Sequence, residues 1–128
     1  NVNSVINNID IEVYQPLMHY VSELYSMAKV NPDRLKNTIA SLKARFEMGT
    51  IHSMVDLTNL YVTGIITAIG IGYDGFINKC NNPEKFVIED LVKLSQLLDV
   101  DIELILKVVT KQSIKNVKKR DISHLLKS

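Results

Sequence analysis

The stretch Ile65–Phe86, IITAIGIGYDGFINKCNNPEKF, can be read in two incompatible ways. Its Gly70, Gly72 and Gly75 spell G-x-G-x-x-G, the spacing by which a strand-to-helix turn brings bare backbone against a dinucleotide pyrophosphate. The same residues also fit two short helices joined by a tight glycine turn. One reading makes an α/β enzyme and the other an all-helical domain, so the flanking residues must decide.

The nucleotide reading needs a strand before Gly70, a long helix after Gly75 and an acidic residue about 20 positions further on. The β-branched run Tyr61–Ile69, YVTGIITAI, could supply the strand. The helix fails, because Asn81, Asn82 and Pro83 begin within six residues of Gly75 and disfavour continuation. Asp90 and Asp99 fall in a helical pattern rather than at a strand end, and no second βαβ half follows. The helix-turn-helix reading has no such conflict. Ile65 and Ile69 face inward from a first helix capped by Thr63, and Gly70 supplies a left-handed turn. Ile71 fills the corner and Phe76 anchors a second helix from Gly72 to Cys80.

Helical periodicity continues on both sides. Leu17, Tyr20, Val21, Leu24 and Ala28 line one face of a helix that Pro16 can open. Asn31, Pro32 and Asp33 make a helix start, Leu35, Ile39, Leu42 and Phe46 its apolar stripe, and Gly49 its stop. Ile51, Met54, Val55 and Tyr61 offer a further apolar face. Downstream, Ile88, Leu91, Val92, Ser95 and Leu98 predict another amphipathic helix, and Asp101 caps one that runs through Ile105 and Val109. The fold expected is all-α: an N-terminal helical hairpin plus a compact helix-turn-helix bundle of about five short helices. Three regions follow, with the hairpin over 1–49, the helix-turn-helix domain over 50–112 and a basic tail over 113–128.

Length and composition bound this reading. A chain of 128 residues is long enough for one core. Cys80 is the only cysteine, so no internal disulfide forms and a reducing, cytoplasmic setting is expected. The uncharged run Leu57–Tyr73 is 17 residues long, but it holds three glycines, Thr58, Asn59, Thr63 and Thr67, which argues against a membrane span. The opening NVNSVINNID lacks the layout of a signal peptide. Charge is unevenly placed. Residues 1–106 carry 8 Lys/Arg against 13 Asp/Glu, a balance of −5, whereas 107–128 carry 7 against one, a balance of +6. His19, His52 and His124 are scattered without metal-ligand spacing, and Cys80 has no activating base nearby in sequence. No catalytic constellation, metal, cofactor or small-molecule ligand is read from these groups.

The residues from Ile66 to Leu106, ITAIGIGYDGFINKCNNPEKFVIEDLVKLSQLLDVDIELIL, resemble the lambda-repressor and Cro-like helix-turn-helix family, most closely in EDLVKLSQLLDVDIELIL. The likeness extends over about Ile51 to Leu106. Three positions depart from the family pattern. Ile66 stands where a small residue usually lets the two motif helices cross closely. Lys79 stands where a core apolar residue is usual, with Cys80 able to replace it, and Val87 stands where a Ser or Thr cap is common. The resemblance implies a transcriptional regulator that reads double-stranded DNA, as a homodimer, through its second motif helix. Carried over by position, the DNA-binding candidates are Gly72, Tyr73, Asp74, Ile77, Asn78 and Lys79, with Asn81, Asn82 and Lys85 just beyond. Lys118, Lys119 and Arg120 of the tail would add phosphate attraction. The alternative is a protein-interaction module that keeps the fold without binding DNA, since only Lys79 is basic on that helix.

Overall fold

The computed structural model describes Leu17 and residues 30–127. The proposed helix around Tyr20, Val21, Leu24 and Ala28, and with it the hairpin pairing, lies outside the described residues; Leu17 itself is helical and exposed. The chain divides between Asn31 and Pro32 into two compact units, and the second contains the whole helix-turn-helix region.

Every regular element among the described residues is helical. The order is α1 (Pro32–Met48), a 3₁₀ helix (Met54–Asn59), α2 (Val62–Ile69), α3 (Tyr73–Asn81), a 3₁₀ turn (Pro83–Lys85), α4 (Ile88–Leu98), α5 (Ile102–Asn116) and a last 3₁₀ turn (Ser123–Leu125). The strand that a nucleotide-binding fold would need over Tyr61–Ile69 is therefore helix α2. The long uncharged run is broken by the Gly70 turn, and no described helix is long and apolar enough to cross a membrane.

Glycine ends two of these helices for a physical reason. Gly49 and Gly70 both sit at φ +72°, a region open to glycine and costly for most side chains. At Gly70 the left-handed residue lets its own N–H and that of Ile71 both reach the Ile66 carbonyl, at 2.9 and 3.1 Å. The last turn of α2 is thereby satisfied while the chain reverses. Asp99 closes α4 in the same region at φ 52°, and Asp101 caps α5 by accepting from the Glu103 N–H at 3.0 Å.

Two local expectations are corrected. Thr63 is not a cap: α2 begins at Val62 after Tyr61, and Thr63 is an exposed residue within it. The apolar face of α4 is also rotated from the expected one. Ile88 is 67% exposed, and Leu91, Leu94 and Leu98 are the residues that enter the core. The α4 start is held by Asp90, whose carboxylate accepts the N–H of the extended Val87 at 3.3 Å.

One core unites the elements. Leu42 and Phe46 of α1 meet Met54, Leu57, Ile65, Phe76, Cys80, Leu94, Leu98 and Ile105, all buried. Each such aliphatic or aromatic side chain contributes roughly 1.5–3 kcal/mol on full burial, more than any surface ion pair here. Helix α2 comes close to α1 at Gly64. A Cβ on Gly64 would lie 2.8 Å from the Tyr61 ring and 2.9 Å from Leu35 Cδ1.

Candidate nucleic-acid interface

Helix α3 is held to the body by one side and open on the other. Phe76 is fully buried and meets Phe86 edge-on, with ring centroids 6.5 Å apart. Cys80, one turn on, is also fully buried, and that burial pushes its thiol up to about 12. It fills the core position that Lys79 leaves, and it is chemically quiet. At about 100° per residue, the direction opposite Phe76 and Cys80 is centred on Asn78, with Asp74, Gly75 and Asn81 beside it. All four are exposed. Tyr73, 57% exposed, stands at the helix start after extended Gly72, and Ile77 is half-buried at the edge.

The polar side chains on this helix differ in what they have free. Lys79 is not available to a polyanion, because its ammonium lies 2.7 Å from Asp90 Oδ2 and both groups are largely buried. That carboxylate thus serves the α4 start and the α3 flank together. Asn81 returns its amide to the Ile77 carbonyl at 2.9 Å. Asn82 bridges the carbonyl and side-chain oxygen of Asn78, at 3.1 and 3.2 Å. Both therefore close the end of α3, and the Asn78 side-chain oxygen accepts one of these bonds. Lys85, on the next turn, is exposed and holds no ion pair among the described residues.

Helix α5 reaches the same place from the other side. Gln112 donates to the Cys80 carbonyl at 3.0 Å and accepts the Met54 N–H at 2.9 Å. Asn116 donates to the Asn81 carbonyl at 3.1 Å and to Glu84 at 3.3 Å. The chain leaves α5 at Val117, so Lys118, Lys119 and Arg120 come within four residues of Asn116, the residue that bonds to the end of α3. All three are exposed, with no ion pair among the described residues. The body cations Lys43, Arg45, Lys79 and Lys93 are instead paired with carboxylates.

Sequence reading missed Gln112 and Asn116, although a signal was present. They continue the buried stripe of Ile105 and Val109 at helical spacing, and an amide on such a stripe needs partners. His52 and His124 are exposed, and no group of His, Cys, Asp and Glu suited to a metal occurs among the described residues. Comparison of the chain with protein-family models, curated proteins and solved structures finds no match.

Proposed function

We propose that this chain is a sequence-specific double-stranded DNA-binding regulator of the lambda-repressor and Cro-like kind, acting in the cytoplasm as a homodimer. The observation that carries the reading is the helix, left-handed Gly70, helix unit in which α3 buries Phe76 and Cys80 and presents Asn78 outward. A helix so held can enter a major groove about 12 Å wide. The Asn78 amide has an N–H donor, and its oxygen has a second lone pair beyond the bond from Asn82, which together complement adenine; Tyr73 can donate to a phosphate or a base edge. Lys85, Lys118, Lys119 and Arg120 supply attraction to phosphate. Two-fold DNA sites call for paired readers, which is the reason for a homodimer.

A second reading has a specific observation behind it. The outward face of α3 carries Asp74 and no unpaired cation, since Lys79 is bound to Asp90. A protein-interaction module with the same fold would have that surface. Fluorescence anisotropy on a random-sequence duplex, in a series from low to moderate salt, separates the two. The DNA reading expects binding that falls linearly in log–log form with salt. No binding at the lowest salt would leave the interaction module.

A further inference from the structure

We infer that Gln112 and Asn116 are positioning residues for α3: an amide clamp on its C-terminal carbonyls that sets how the reading face is presented. The functional part of this inference rests on the DNA-binding reading. A helix leaves its last carbonyls without intrahelical partners, and a nine-residue helix has few bonds to spare for holding its direction. Helix α3 also lacks the usual glycine stop, because its last turn runs into Asn82 at φ −129°. Its end is closed instead by four amides. Asn81 and Asn82 are local, bonding to Ile77 and Asn78. Gln112 and Asn116 are distant in sequence and take the Cys80 and Asn81 carbonyls.

The distant pair does what the local pair cannot. Gln112 joins three elements at one partly buried side chain, because its oxygen also receives the N–H that starts the Met54–Asn59 helix. Asn116 adds Glu84, on the turn that leads from α3 to α4. Phe76 and Cys80 fix the depth of α3 through apolar contacts, which are non-directional. The amides add direction at the C-terminal end, so rotation of α3 about its own axis is resisted there. Asn78 lies within one turn of both clamped carbonyls, and a base contact made by a bidentate amide tolerates little rotation.

The test uses the full chain with Gln112→Glu and Asn116→Ala. Gln112→Glu is nearly isosteric and keeps an acceptor for the Met54 N–H, but replaces the donor to Cys80 with an oxygen. Asn116 is exposed, so Asn116→Ala leaves the core untouched. Binding is measured to a duplex selected for preference by the wild-type chain and to a random-sequence duplex, at a temperature where circular dichroism shows each variant folded. The expected result is a loss of roughly tenfold in the ratio of preferred to random binding, the scale of one base contact. In Asn116→Ala the affinity for the random duplex and its salt slope stay unchanged, whereas the charge added by Gln112→Glu lowers both duplexes by a common factor, so there the ratio is what is read. A merely structural role would lower both duplexes together in the charge-neutral Asn116→Ala, in proportion to the folded fraction, and that outcome overturns the inference. So does an unchanged ratio in both variants. Amide hydrogen exchange keeps the test independent of the DNA reading. Protection across Phe76–Asn82 should fall in Gln112→Glu while α4 and α1 keep theirs. If the wild-type chain binds no duplex, the DNA reading fails, and unchanged α3 protection would then overturn the clamp as well.

Discussion

Gly64 and Gly75 make opposite demands on a methyl group. At Gly64 a Cβ would press into the buried Tyr61 ring, over which the Arg34 guanidinium lies 4.3 Å from the centroid, and into Leu35. At Gly75 it would meet only Ile71 Cγ1 at 4.0 Å, in otherwise open space. Neither residue has a positive φ, so helix propensity favours alanine at both. Packing decides between them. Gly64→Ala is expected to destabilise by about 1–3 kcal/mol through overpacking. Gly75→Ala is expected to stabilise by roughly 0.5–1 kcal/mol. Thermal unfolding of the two variants should move in opposite directions, and a rise for Gly64→Ala would mean that the Tyr61 ring and Leu35 yield to the methyl group. Phe76→Ala, at a fully buried site, is expected to cost about 3–5 kcal/mol, read as a large drop in the unfolding midpoint. Cys80 gives a pH signature. Its folded pKa of about 12 lies above the ordinary 9.0, so its contribution to stability is intact below pH 9.0 and is lost as pH rises toward 12. Denaturation across that window should show a steeper fall for the wild-type chain than for Cys80→Ala.

Among the elements, what is legible in the sequence follows from local rules, and what is not depends on distant partners. Pro32 and Asp33 at the α1 start, the glycine stops and the Asp101 cap are decided by neighbours within a few residues, and each is found where the residues place it. The Gly70 turn belongs to the same class, which is why Ile65–Phe86 can decide between strand and helix. The phase of α4 is hidden in the sequence because Val87 and Ile88 look like core by composition. Both are exposed because the face that packs into the shared core is that of Leu91, Leu94 and Leu98, a choice made by distant partners. Of the candidate site, the outward position of Asn78 and Asp74 is legible from the spacing of Phe76 and Cys80. The engagement of Lys79 is not, since its partner lies 11 residues away on another helix. Asp90→Ala removes a largely buried ion pair and a helix cap together. It is expected to cost about 1–3 kcal/mol, measured as a lower urea midpoint at unchanged slope. An unchanged midpoint would mean that Lys79 and Asp90 are solvated separately in solution.

On the scale of the whole molecule, the question is how a chain with an acidic majority could approach a polyanion. Residues 1–106 sum to −5, and the cations that pair with carboxylates in the body add nothing to long-range attraction. Residues 107–128 sum to +6, and among them Lys118, Lys119 and Arg120, without ion pairs among the described residues, come just after Asn116, whose side chain bonds to the end of α3. Beyond a Debye length of about 8 Å at physiological salt, the acidic body is screened from DNA held at the tail. Local placement therefore outweighs the sign of the body's total. Phosphate contacts set affinity and its salt dependence, whereas base-edge contacts set discrimination. Replacing Lys118, Lys119 and Arg120 together by glutamine should weaken all duplexes alike. If all three meet phosphates, the slope of log K against log salt should flatten by roughly 2–3, at about 0.9 for each phosphate no longer neutralised. Asn78→Ala should instead cost on the order of 1–3 kcal/mol on the preferred duplex and little on a random one. The two variants are thus expected to separate affinity from discrimination. Equal weakening on both duplexes in Asn78→Ala would mean that α3 does not read bases, and an unchanged salt slope in the triple variant would place the phosphate contacts elsewhere on the chain.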